Sequence, residues 1–181
     1  MQSCIITFLF FVISSSVIWG QSSRLIQLPE YYKGSGVIIC DSSKIPIHTD
    51  FKSFFVVSIE EARLAETILQ KDIKRFFKER YVIFPKERSS SVSEKRKWEK
   101  TITRVNAAKR YKHYYRQYAG FISFNNEKII LIGLLNFKHT RKSAKHFRNW
   151  ENEIIVGFGE FYEKNSDMIF INIPSETIFD L

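Results

Sequence analysis

Residues Tyr111–Phe121 read YKHYYRQYAGF, with four tyrosines, one histidine, one lysine and one arginine in eleven positions. The fold turns on this stretch, because an extended backbone and a helical one send its side chains to different neighbours. It runs on into FISFNNEKIILIGLLNF (Phe121–Phe137), where β-branched and aromatic residues crowd around Asn125-Asn126. That composition suits strands, and asparagine tolerates the positive φ of a hairpin turn. An extended chain puts Tyr114, Arg116, Tyr118, Gly120, Ile122 and Phe124 on one face. Tyr115, Gln117, Ala119, Phe121 and Ser123 take the other. Arg116 then lies between two tyrosines at i ± 2, placed to stack on a ring. Gly120 is the position for a bulge or a bend. Three readings follow: amphipathic tyrosines of a half-buried or edge strand, a ligand-facing patch of Tyr114, Arg116 and Tyr118, or a catalytic pocket.

Upstream, Ser58 and Glu61 have the S-x-x-E spacing of a capping box, which satisfies two free amides at a helix start. Ile59, Ala62, Ala65, Leu69, Ile73 and Phe76 recur at three- or four-residue steps, with Ile68 and Phe77 widening the stripe. The spacing predicts a helix over residues 59–79 that ends ahead of Phe84-Pro85. Glu60, Glu61 and Glu66 read as capping, helix-dipole and surface charges. Residues 85–91 (PKERSSS) read as loop. Ser91 and Glu94 repeat the capping spacing before a second helix over 92–109, with Trp98, Ile102, Val105 and Ala108 on a thinner stripe.

Val37–Cys40 and Phe54–Val57 are short candidate strands. Residues 138–148 read as a basic loop or short helix. Glu153–Glu163 and Met168–Ile173 read as a second hairpin around Lys164–Asp167, which puts Glu160 and Glu163 on opposite faces of a strand. Helices first and about four antiparallel strands after give an α+β class. The expected architecture is a long N-terminal helix, with the second helix, on a curved antiparallel sheet. Residues 21–53 form an extended leading segment, 54–174 one domain and 175–181 a tail.

Cys4–Trp19 (CIITFLFFVISSSVIW) carries no charge and is short of the roughly 20 residues of a membrane span. It reads as a signal peptide cleaved near Gly20, which exports the chain to the periplasm or beyond, with an uncleaved anchor as the alternative. The n-region, MQS, has no Lys or Arg. Cys40 is then the only cysteine, so no internal disulfide forms, and no N-x-Ser/Thr site occurs. Both features fit a bacterial export route better than a eukaryotic one.

The chain carries 28 Lys/Arg against 19 Asp/Glu, a net charge of +9. Residues 71–116 hold 16 Lys/Arg and 5 Asp/Glu, a net +11, and residues 138–148 add five Lys/Arg and two histidines without an acid. Residues 149–181 reverse the balance, with one lysine against seven acids. Such a distribution favours an electrostatic partner, or the basic and acidic regions meeting each other across the fold. Lys95, Arg96, Lys97, Lys100 and Arg104 are the candidate contacts for an acidic polymer, an anionic lipid surface or an acidic protein. Lys109–Lys112 extends this set, and Trp98 is an interfacial anchor or a core residue. Interleaved aromatics and cations also suit nucleic acid, but no specific nucleic-acid motif is present and export removes the chain from cytoplasmic nucleic acid.

Metal and catalytic readings are thin. His139 and His146 lie seven apart with no third ligand in their basic segment, so no metal or cofactor is expected. There is no G-x-S-x-G, H-E-x-x-H or phosphate-binding loop. His113, beside Lys112 and Arg116, is the one candidate for acid–base cleavage of a phosphodiester, and needs His139 or His146 as its second group.

The helix carries A-E-x-x-L at Ala65–Leu69 and the strand Y-x-R-Q-Y-x-G at Tyr114–Gly120, followed by a hairpin and by NWENEIIVGFGEFYE. Over residues 54–172 this resembles uncharacterised exported proteins of Bacteroidota. The resemblance implies a small, cystatin-like domain of helix and curved sheet, and no catalytic residues. Residues 86–110 are longer and more basic than that pattern, and Gly157-Phe158-Gly159 departs from it. The function expected is a non-catalytic exported binding or interaction domain with a basic surface. The alternatives are a secreted hydrolase of an extracytoplasmic polymer and a structural part of a cell-envelope assembly.

Overall fold

The computed structural model describes residues 22–47, 51–88 and 111–180, with side chains of its long helix as far as Phe76. The order is β1 (Ser23–Ile26), β2 (Gly36–Ile39), a 3-10 turn (Ser42–Lys44), β3 (Ser53–Phe55) and α1 (Ile59–Arg88). After residue 111 come β4 (Tyr115–Ile122), β5 (Lys128–Leu135), α2 (Thr140–His146), α3 (Glu160–Asn165), β6 (Ser166–Asn172) and β7 (Thr177–Phe179). The class is α+β with an open, mixed sheet. The second helix expected over 92–109 lies outside the described residues, as does the segment read as a signal peptide.

The sheet has seven strands among the described residues rather than about four: β2 and β3 overlap the candidate strands Val37–Cys40 and Phe54–Val57, and β1 and β7 join at its edges. Its order is β1-β2-β4-β5-β6-β7, with β3 also paired to β4. β2 runs parallel to the first half of β4 (Gly36↔Arg116 to Ile38↔Tyr118). β3 runs antiparallel to the second half (Ser53↔Ile122 to Phe55↔Gly120), so the two share one edge of β4 end to end. All other pairings are antiparallel. The parallel pair requires a long crossover, and α1 lies within it. The final residues, read as a tail from Pro174, turn back as β7 against β6.

Gly120 marks close backbone approach without a bulge. It pairs with Phe55 and Ile130 in unbroken register, and a Cβ there would stand 2.6 Å from the Phe55 carbonyl oxygen. The β4–β5 turn falls at the two asparagines, with Asn126 at φ 63° and the Ser123 amide donating to the Glu127 carbonyl.

The capping box closes as the spacing requires. The Glu61 amide donates to Ser58 Oγ (3.1 Å) and the Ser58 amide to Glu61 Oε2 (2.9 Å). Burial pushes the Glu61 carboxyl up, but Lys128 at 2.5 Å and the Ser58 amide outweigh it and hold the group below the usual carboxylate range. The helix runs on through Pro85 to Arg88, past the end predicted from the proline and into the segment read as loop. A proline there removes one amide donor and crowds the carbonyl four residues back, so it weakens the helix near its end without stopping it.

Two cores flank the sheet. Ala62, Ala65, Ile68, Leu69 and Ile73 of α1 pack on Ile38, Tyr118, Ile130, Ile132, Leu134, Ile169 and Ile171. Ile59, placed on the stripe by spacing, is instead exposed at the first turn. On the other face Val37, Ile39, Ala119, Phe121, Leu131 and Phe170 meet Phe147, Trp150 and Ile154 from the chain after β5. That chain is not the strand expected from Glu153 to Glu163. Residues 154–158 are irregular, and Glu160 and Glu163 sit on α3. The aromatic residues here serve as a covering layer, which needs no period of two.

Leu69→Ala, from a site 1 % exposed, is expected to lower unfolding free energy by about 2–5 kcal/mol. Leu64→Ala on the same helix, at 42 % exposed, should change it by less than about 0.5 kcal/mol in urea denaturation.

Candidate functional site

The Tyr114, Arg116 and Tyr118 face is turned to α1 and lies in the core, not on an open surface. Arg116, 2 % exposed, meets Glu66, 1 % exposed, with Nε 2.8 Å from Oε1. The same carboxylate oxygen accepts the Tyr118 hydroxyl at 3.0 Å, and Arg116 Nη1 donates to the Tyr114 carbonyl at 2.9 Å. The guanidinium stacks on a tyrosine, but on Tyr32 from the β1–β2 loop, 4.8 Å from its ring centre. Glu66 is therefore not the surface charge its sequence neighbours implied. It lies between Ala62 and Leu69 at helical spacing, inside the apolar stripe, and that position was the available signal.

Burial raises the Tyr32 hydroxyl to about 12 and the Tyr118 hydroxyl well above its ordinary value, so both stay protonated. Glu66 Oε2 is buried with no hydrogen-bond partner among the described residues, and Tyr32 Oη is buried with only the Tyr118 hydroxyl beside it. A Cβ on Gly36 would stand 2.1 Å from Tyr32 Oη, so only glycine fits beneath that ring.

The opposite face is fixed by Gln117. Its amide nitrogen donates to the carbonyls of Trp150 (2.5 Å) and Glu153 (2.6 Å), and its oxygen accepts the Ile155 amide (2.9 Å). Gly133 lies directly across the ladder and leaves room for this side chain. Ser143 Oγ of α2 donates to the Asn136 carbonyl at 2.8 Å, and the Asn136 side chain donates to Asn165 of α3 at 3.0 Å. Tyr162 Oη donates to the His146 carbonyl (3.2 Å), and the His146 ring stacks on Phe161 (4.1 Å). These contacts hold α2 and α3 rigidly on the end of β5.

What α2 presents outward is charge. Lys138, His139, Arg141, Lys142, Lys145 and Arg148 are all exposed. Beside them His139, Lys142, Glu160, Phe161, Lys164 and Asn165 line an open groove of about 260 Å³. Lys164 hydrogen-bonds Glu160 and, with Lys142 nearby, holds its carboxyl below the ordinary range.

His113 is exposed on the turn before β4, while the Arg116 guanidinium is held by Glu66 in the core. The two do not share a cleft. His146 is packed against aromatic rings and His139 lies at the groove, and the described residues hold no group of three or more metal-ligating side chains. Lys95, Arg96, Lys97, Lys100 and Arg104 lie outside the described residues. No helix among the described residues is long and apolar enough to cross a membrane. Comparison with family models, with curated proteins and with solved structures finds no match.

Breaking the buried pair from one side leaves a charge without its counterion. Arg116→Met or Glu66→Gln alone should cost about 3–5 kcal/mol. The double variant Glu66→Leu/Arg116→Met should cost clearly less than the two single losses added, read as a double-mutant cycle in urea. Tyr32→Phe removes a buried hydroxyl with only a weak tie to Tyr118 and should change stability by less than about 1 kcal/mol. Gly36→Ala should destabilise, and Tyr32→Phe should recover part of that loss, because the next atoms stand 3.1 Å from the new Cβ.

Proposed function

We propose that the protein is a non-catalytic, exported binding or interaction domain whose basic surface engages an anionic partner. The observation that carries this reading is the exposed segment from Lys138 to Arg148. It has five Lys/Arg, no acid, and a framework that fixes its position through Ser143, Asn136 and the buried Phe147. A charged surface held in place loses less entropy on binding than one on a mobile loop. The sequence surplus of residues 71–116 raises the net positive charge further. Export rests on the apolar Cys4–Trp19 stretch, and the lone Cys40 favours a bacterial route over a eukaryotic one. The cystatin-like comparison belongs to the same proposal, and the crossover of α1 onto a mixed sheet bounds how far it goes.

Among the described residues, no geometry favours hydrolysis. The two strongest polar clusters, around Glu66 and around Gln117, are structural ties between layers, with every wall formed by core residues. The tyrosine–arginine face contributes to function by placing the basic segment, through the sheet, and not by touching a ligand.

Retention on an anionic matrix tests the reading. Replacing Lys138, Arg141, Lys142 and Lys145 by Ser should lower affinity at physiological salt by about tenfold or more, since a basic residue near an anionic surface contributes about 1 kcal/mol. A control that removes equal charge at exposed Lys33, Lys52, Lys74 and Lys112 should retain most of the binding. Equal losses in the two variants would reduce the effect to net charge and overturn the assignment. The Lys95, Arg96, Lys97 and Lys100 to Ser variant measures what the other basic run adds.

A further inference from the structure

Phe158 is 91 % exposed, the most open large apolar side chain among the described residues. It stands between two glycines with distinct roles. Gly159 adopts φ 93°, in the region that favours glycine, and turns the chain into α3. A Cβ on Gly157 would fall 2.2 Å from the Tyr162 ring, so that ring lies directly on the backbone there. Tyr162 in turn is tied to α2 through the His146 carbonyl. The phenyl ring is thus held outward from a braced tip instead of hanging on a slack loop.

This tip borders the basic segment. Phe158 lies two residues from Glu160, a chain distance of at most about 7 Å, and Glu160 lines the groove with His139 and Lys142. Glu160 itself is engaged by Lys164. Residues 149–163 also carry the acids Glu151, Glu153 and Glu163, which temper the field of Lys138, Arg141, Lys142, Lys145 and Arg148 without outnumbering those five cations.

We propose that the tip and α2 together form a contact for an anionic lipid surface. The Phe158 ring enters the boundary between headgroups and acyl chains, and the cations of α2 meet headgroup phosphates. This inference rests on the basic-surface reading above and gives its partner a chemical class. A charged polymer would engage the cations and leave the ring in water. A bilayer surface satisfies both, because apolar insertion and attraction to anionic lipid combine in interfacial binding. One ring and a handful of cations suit reversible attachment, not permanent anchoring.

The test uses the full chain with vesicles of phosphatidylglycerol and phosphatidylcholine, against phosphatidylcholine alone. Every protein in the series carries the same Cys4–Trp19 stretch, so differences between them report on the tip. Phe158→Ser should weaken binding to the anionic vesicles by about tenfold, while its retention on the anionic matrix stays that of the parent. In Phe158→Trp, the added indole should shift to the blue with anionic vesicles and be quenched by brominated acyl chains, relative to the parent's own tryptophans. Equal vesicle binding by Phe158→Ser and the parent, or an added indole that no brominated chain quenches, would overturn the proposal and leave the basic-surface reading standing. Loss of matrix retention in the parent itself would instead remove that reading, and this one with it.

Discussion

β4 and β5 lie at the centre of the sheet, and almost every residue of both is buried, so water must be kept from two faces at once. One helix shields only one face. The other has to be covered by whatever chain remains after β5, and residues 137–165 do this with Phe137, Phe147, Trp150, Ile154, Phe161 and Tyr162. The T-shaped contact of Tyr115 with Trp150 (5.0 Å) and the tilted one with Phe137 (4.4 Å) show aromatic edges and faces filling that layer. Two-sided burial also explains why KIILIGLL reads as a near-continuous apolar run instead of a clean alternation.

Two polar side chains, neighbours in sequence, then fix the layers in register. Arg116 points to α1 and meets Glu66; Gln117 points the other way and binds three backbone groups of residues 150–155. An apolar helix stripe slides on an apolar sheet at little cost, whereas a buried carboxylate has one acceptable position. The ion pair adds little net stability over a well-packed apolar substitute. Its effect is to penalise every misaligned arrangement. Glu66 Oε2, without a hydrogen-bond partner among the described residues, is the local cost of that arrangement.

The same logic places the surface. Because Asn136, Ser143 and Asn165 join α2 and α3 to the end of β5, the cations of α2 and the Phe158 tip are carried by the sheet. The covering layer is therefore both the lid on the second core and the bearer of the exposed basic segment. Lys164 pairs with Glu160 four residues away and Lys71 with Glu176 across the fold, whereas residues 138–148 contain no acid.

The sequence by itself determined the elements whose signals are local. The capping box and the recurrence of Ala62, Ala65, Leu69 and Ile73 specify α1, since a helix is written in contacts three and four residues apart. The asparagine pair specifies the β4–β5 turn, and the parity of Tyr114, Arg116 and Tyr118 follows from the period of a strand. Only the tertiary structure decided what those faces met. Glu66 and Arg116 are 50 positions apart, and Arg116 finds the ring of Tyr32 rather than of its own strand neighbours. The recruitment of β1, β2 and β7, and the folding of residues 154–165 as cover instead of strand, likewise rest on pairings between distant segments. Backbone propensity is nearly indifferent to such choices; burial and register, which exist only once the layers assemble, settle them.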